Sequence, residues 1–272
     1  MKQILTVANK EFHDGLRNRW FISITLIFAI LSLGLAYYGT AVSGSVGVAS
    51  LSSTIASLAS LAVFLIPLIA LLVSYDSFVG EQESGTLLLL LTYPISKTQL
   101  LLGKFVGQGS IIALATLLGF GASAGMLGYQ QGYANVLPAF SLFIGSAILL
   151  GLSFTAIAYS ISLLVSEKSK AAGLALILWF LFALVFDLAL LAVLVSTEDV
   201  VSQSGLTQLM MLNPADIFRL VNFAGLESAD VNGALAVAIN SSISQGQLFA
   251  LLGAWVIGPL LIAIFIFRTR KL

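Results

Sequence analysis

Residues 80–104 read GEQESGTLLLLLTYPISKTQLLLGK, with five consecutive leucines, Leu87 to Leu91, between Glu81 and Glu83 on one side and Lys97 and Lys104 on the other. This stretch is too charged to cross a bilayer and too apolar to stay in water, so it belongs at a membrane boundary. Pro94 divides it, because proline disfavours helix in the residue before it. The part from Glu81 to Thr92 is predicted to form one short helix whose acidic start suits the positive end of the dipole. Ser96 followed by Gln99 is a capping-box pattern, so the next helix is predicted to begin near Lys97. Glu81, Glu83, Gly85 and Thr86 fall at the end free to leave the membrane surface.

Long apolar runs flank this stretch on both sides. The 272-residue chain is 59% hydrophobic and 9% charged, against about 25% charged for soluble domains. A hydrocarbon core about 30 Å thick needs roughly 20 apolar residues as a helix. Six stretches qualify: Trp20–Val42, Thr54–Tyr75, Phe105–Leu127, Ala139–Val165, Ala171–Val195 and Leu248–Phe267. Helices satisfy every backbone N–H and C=O where water is absent. The fold class is therefore all-α and polytopic, with residues 1–272 as a single transmembrane domain. Charges scattered up to Arg19, ahead of any long apolar run, do not resemble a cleaved signal peptide.

Lys and Arg set the orientation. Eleven of the twelve lie on one side of the six-span arrangement: Lys2, Lys10, Arg17, Arg19, Lys97, Lys104, Lys168, Lys170, Arg268, Arg270 and Lys271, with Arg219 alone opposite. Both termini are thus expected in the cytoplasm. Two outer loops, Ser43–Ser53 and Gly128–Pro138, are short and uncharged, and the third, Ser196–Gln247, is long. Within it Asn213 is placed to cap a helix, Pro214 suits the first helical position, Asp216 suits the positive dipole end and Gly225 can stop the helix. Ile217, Leu220, Val221 and Ala224 recur at helical spacing, which predicts a short external helix against the outer membrane face. At the N-terminus, Leu5, Ala8, Phe12 and Leu16 share a face, with Ile4 beside them. This predicts an interfacial helix whose basic side meets anionic headgroups.

The acidic residue, the Gly85-Thr86-Leu87 step, Pro94 and the later Gly103-Lys104 resemble the cytoplasmic coupling element of ABC type-two permeases. That resemblance implies six spans per subunit and a loop docked into a groove on a separate ATPase. Glu81, Glu83, Gly85, Thr86 and Pro94 then form the coupling site. The segments FHDGLRNRW (12–20), LLGKFVG (101–107), EKSKAAGLALILWFLFALVFDLALLAVLV (167–195) and LNPADIFRLVNF (212–223) resemble more closely the permeases of nitrous oxide reductase maturation systems. This implies a homodimer with two cytoplasmic ATPases that bind ATP and Mg, and a periplasmic β-helix protein. Nitrous oxide reductase and a copper chaperone would be indirect partners. Asn213, Asp216 and Arg219 are then expected to face the periplasmic partner.

The residues also exclude chemistry. No Gly-x-x-x-x-Gly-Lys-Ser/Thr sequence occurs, so the chain is expected neither to bind nor to hydrolyse ATP, and no cofactor is expected in it. There is no cysteine, hence no disulfide or thiolate metal site. Copper(I) favours thiolate and thioether ligands, but the four methionines, Met1, Met126, Met210 and Met211, read as packing residues. The single histidine, His13, lies on the cytoplasmic side, which leaves no catalytic triad. No basic arrangement for nucleic acid stands out. Asp187 is a carboxylate deep in the fifth span, and it reads either as a pathway or gating residue or as a structural acid. Gly103 with Gly107, and Gly121 with Gly125, make small-residue faces suited to a dimer seam or to packing within one subunit.

The sequence thus points to the permease subunit of an ABC complex that couples a partner's ATP hydrolysis to periplasmic maturation of a copper–sulfur centre. A permease exporting a lipid, drug or small solute, and a membrane scaffold that moves nothing, are the alternatives.

Overall fold

The computed structural model describes residues 2–38, 50–196, 203–223 and 243–270, and every regular element among them is helical. The helices are α1 Lys2–Arg17, α2 Arg19–Tyr38, α3 Leu51–Ser74, α4 Val79–Glu83, α5 Thr86–Thr92, α6 Lys97–Gln131 and α7 Tyr133–Leu164. They continue as α8 Lys168–Phe180, a π-helical turn Leu181–Val185, α9 Phe186–Ser196, α10 Gln203–Met210, α11 Pro214–Phe223 and α12 Gln245–Thr269. Six apolar helical stretches are long enough to cross a membrane: α2, α3, α6, α7, the α8–α9 run and α12. Each coincides with one of the predicted spans. The predicted end of the first, residues 39–42, lies outside the described residues.

The largest difference is length. At 35 and 32 residues, α6 and α7 extend about 50 Å each, well beyond the hydrocarbon core. The predicted loop Gly128–Pro138 shrinks to Gly132, whose φ of 91° turns one helix into the next. Pro138 sits inside α7 instead of closing a loop. The start of α6 follows the predicted capping box: Gln99 donates its backbone N–H to Ser96 Oγ (3.2 Å), and Ser96 returns one to Gln99 Oε1 (3.0 Å).

Helices α6 and α7 form the centre. α1 and α2 pack on α6, while α3 and α12 pack on α7. Phe28 of α2 stacks on Phe120 of α6 at a centroid distance of 4.8 Å and lies over Gly119, whose carbonyl accepts from Ser32 (3.0 Å). α1 rests on α6 rather than on lipid alone. A Cβ on Gly103 or Gly107 would lie 2.5 Å from Val7 Cβ or Glu11 Cβ respectively, so these glycines seat α1 within the subunit. The docked face is turned from the predicted stripe: Val7 and Ala8 are buried, whereas Leu5 is 63% exposed. Gly121 and Gly125 meet nothing within 4 Å.

Helix α11 also departs from prediction. It does not lie on an outer face but is buried among α3, α7 and α12. Asn222 donates to Ser146 Oγ at 3.0 Å, about 20 Å along α7 from its start at Tyr133. Its N-terminus is built as read: Asn213 Oδ1 accepts the Ala215 N–H (3.0 Å) and Pro214 opens the helix. Ala224 and Gly225 lie outside the described residues.

Candidate functional site

Among the described residues, the basic side chains other than Arg219 lie toward one end of the bundle, where α1, α4, α5 and the starts of α6 and α8 meet. The coupling segment is two helices, not the single helix predicted. Gly85 stands at φ 71°, a left-handed conformation that ends α4 and starts α5. Thr86 Oγ1 donates to the Glu81 carbonyl (3.2 Å) and lies 2.9 Å from Ser84 Oγ, which knits the turn. Glu83, Ser84, Gly85 and Thr86 form its exposed tip. Below it Leu87 is buried while Leu88 and Leu89 are 57% and 65% exposed. Tyr93 is extended before Pro94, as expected. The exposed Pro94 accepts a hydrogen bond at its carbonyl from Gln3 of α1.

The two glutamates are already engaged. Glu81 turns inward to Lys104 Nζ (2.7 Å), which also reaches Glu11 of α1 (3.2 Å). The Lys104 side chain is only 4% exposed, so this three-membered group pins α1, α4 and α6 together in a poorly solvated place. The second oxygen of Glu81, Oε2, is buried with no partner. Glu83 accepts the backbone N–H of Lys168 (2.6 Å), a carboxylate at the N-terminus of α8. Lys168 Nζ meets Asp76 Oδ2 at 2.7 Å. The second and fourth interhelical segments are therefore one connected unit.

Three supports were not legible in the sequence. Ser162 Oγ of α7 accepts the N–H groups of Phe78 and Val79, both at 3.0 Å, which orients α4. Tyr159 donates to Gln108 Oε1 (3.0 Å), and Gln108 Nε2 donates to Ser77 (2.9 Å). At the end of α12, Arg270 donates to the carbonyls of Leu163 and Val165, and its own carbonyl accepts from Lys97 (2.7 Å). None has a local sequence signature, because each joins residues far apart along the chain.

A second polar group lies deep in the bundle. Asp187 is about 28 Å along the fifth span from Lys168 and receives Arg219 at 2.6 Å. The same guanidinium nitrogen reaches Asp216 at 2.9 Å. Asn213 Nδ2 donates to Asp216 Oδ2 (3.1 Å) and to the Phe182 carbonyl (2.9 Å) in the π-helical turn. The Asp216, Arg219 and Asp187 side chains are 1%, 16% and 31% exposed. Asn213, Asp216 and Arg219, expected to face outward, thus point inward and fasten α11 to the fifth span. Asn213 is fully buried.

Among the described residues no cluster of three or more histidine or acidic side chains fits a metal ion. An all-helical, six-span bundle with an exposed loop unit at its basic end has the architecture of a transporter permease. The chain matches the family described as ABC-2 family transporter protein over residues 5–272, and it belongs to that family as the permease subunit of an ABC transporter, a multi-pass inner-membrane protein. It is 50% identical over 275 residues to the probable ABC transporter permease protein NosY of Pseudomonas aeruginosa, across the whole of both chains. It is 51% identical over 274 residues to the protein of that name from Stutzerimonas stutzeri, across 99% of each.

Proposed function

We propose that this permease works as a homodimer with a dimer of cytoplasmic ATPases and a periplasmic β-helix protein in the maturation of nitrous oxide reductase. The near 50% identity to two permeases named NosY, unbroken over the chain, is the observation that carries this reading. ATP and Mg belong to the ATPase partner. Both termini and the basic end face the cytoplasm, where the tip Glu83–Thr86 meets the ATPase. Glu81 and Pro94 act from beneath, Glu81 by holding Lys104 and Pro94 by aiming α5. Closure of the ATPases moves α4, and the long helices α6 and α7 carry that movement outward. The Asp187–Arg219–Asp216 group acts as a gate fastening, joining the fifth span to α11 and so to the periplasmic side. The copper chaperone acts downstream, on the reductase.

The test is co-expression with the neighbouring genes, affinity purification of this chain, and assay of the copper–sulfur centre in the reductase. Recovery of an ATPase and a β-helix protein, with loss of the centre when the permease is deleted, is expected. A normal reductase centre in the deletion strain rejects the maturation role. An isolated permease–ATPase pair points to export of a lipid, drug or small solute. A centre formed normally with a hydrolysis-dead ATPase points to a scaffold.

A further inference from the structure

A notch opens on the side of the bundle at the level of the basic end. Its volume is about 370 Å³, and it is lined by Asn18, Leu72, Val73, Tyr75, Asp76 and Lys168. It lies where the α1–α2 bend, the end of α3 and the start of α8 come together. Its floor runs toward the membrane interior. Val73 lines both the notch and a narrow apolar crevice between α2 and α3, whose other walls include Ile24, Phe28, Ile66 and Ala115. The crevice exists because α2 leans on α6 while α3 leans on α7, so the two helices part from each other. The crevice is a packed seam of about 10 Å³, so the notch is a polar recess whose apolar wall is Leu72 and Val73.

The mouth carries one charge of each sign. Lys168 Nζ and Asp76 Oδ2 are 2.7 Å apart, with side chains 46% and 38% exposed, so both retain open hydrogen-bonding positions. A purely anionic headgroup on Lys168 meets the Asp76 carboxylate beside it. A headgroup with a phosphate and a primary ammonium satisfies both, the phosphate accepting from Lys168 and the ammonium donating to Asp76. A quaternary ammonium has no N–H to give. We propose that this notch holds the headgroup of one phospholipid bearing both a phosphate and a primary ammonium. Asp76 and Lys168 also line a cleft of about 310 Å³ that contains Glu81 and Lys104. The bound headgroup is therefore separated from the coupling segment by a single ion pair. The inference rests on membrane location alone and stands or falls apart from the maturation role.

The test is native mass spectrometry of the full-length permease in mild detergent, titrated with phosphatidylethanolamine, phosphatidylcholine and phosphatidylglycerol of identical acyl chains. Phosphatidylethanolamine should be retained about fivefold better than the other two, the factor one hydrogen bond to a partly exposed carboxylate supplies. Asp76→Asn should erase that preference, whereas Lys168→Met should lower retention of all three lipids, each of which carries the phosphate. Lys168→Met keeps the backbone N–H that Glu83 accepts, so that link of the coupling unit remains. Val73→Trp, which fills the junction of notch and crevice, should lower retention of all three lipids. Equal retention of the three lipids by the wild-type chain overturns the proposal, as does preference for phosphatidylglycerol, which would mean that Lys168 and the flanking Arg17 and Arg19 act as a plain anion site. Unchanged preference in Asp76→Asn, or undiminished retention in Lys168→Met or Val73→Trp, overturns it as well.

Discussion

Replacing Arg219 by methionine keeps much of the side-chain length and removes the one cation that two carboxylates share. Asp216 is 1% exposed and Asp187 31%, and Arg219 Nη1 lies within 2.9 Å of both. Removing one member of a buried pair costs about 3–5 kcal/mol, because the remaining charge is left uncompensated in a poorly solvated place. Asp187→Asn is far milder, since Arg219 keeps Asp216. The lost pair is partly exposed, and its removal is expected to cost about 1 kcal/mol. Adding Asp216→Asn to Arg219→Met removes the stranded carboxylate and should recover at least about 1 kcal/mol, a coupling that a double-mutant cycle reads directly. The assay is denaturant unfolding of the purified permease in detergent, followed by tryptophan fluorescence. Trp255 donates to the Met211 carbonyl just before α11 (3.1 Å), and Trp179 donates to the Phe64 carbonyl (2.9 Å), so two reporters stand close to this region. Arg219→Met no less stable than Asp187→Asn, or no recovery in the double variant, would refute the shared-cation account.

Gly107→Val should lever α1 off α6, because the new side chain meets Glu11 and the Ala8 carbonyl. A loss of about 1–3 kcal/mol and faster proteolysis of residues 2–17 are the readouts. Glu81→Lys combined with Glu83→Lys should insert normally but lose ATPase association, through repulsion of Lys104 and loss of the carboxylate at the start of α8. Pull-down of the ATPase at wild-type yield would contradict this. Asp187→Asn should lower reductase maturation while the protein still inserts and dimerises, and full activity would leave Asp187 a structural role only. A single cysteine at position 168, in a chain that has none, should resist an impermeant thiol reagent applied from outside. Labelling there would invert the orientation.

Local signals in the sequence were accurate where the physics is local. The Ser96–Gln99 cap and the Asn213–Pro214 helix start depend on residues within one turn, and both stand as read. The break at Gly85 was missed because glycine also tolerates helix, and the choice is made by the Thr86–Glu81 bond and by Ser162 from a distant helix. Hydropathy separates apolar from aqueous surroundings but not lipid from protein. Helices α1 and α11 were therefore both assigned to the membrane surface, although α1 docks on α6 through Val7 and Ala8 and α11 is buried in the bundle. For the same reason Asp187 stood out as unusual, yet its partner lies 32 residues away across an outer segment and had no signature of its own. Lys104 was read for orientation and as part of the coupling pattern, and its ion pairs with Glu11 and Glu81 had no signature.

The seat of α1 has a consequence for biogenesis. Val7 and Glu11 dock on Gly103 and Gly107, which leave the ribosome about a hundred residues later, roughly 5–20 s at ordinary elongation rates. During that interval the N-terminal helix exists without its partner, and its apolar face is sheltered only by the membrane surface. The amphipathic pattern that looks like a permanent interfacial anchor describes this waiting state. Insertion of the third span then supplies the two glycines, and the Val7–Glu11 side of the helix docks on them while Leu5 stays exposed. A chain shortened before α6 should keep α1 on the membrane surface, and extension through Gly107 should be the step that draws it off.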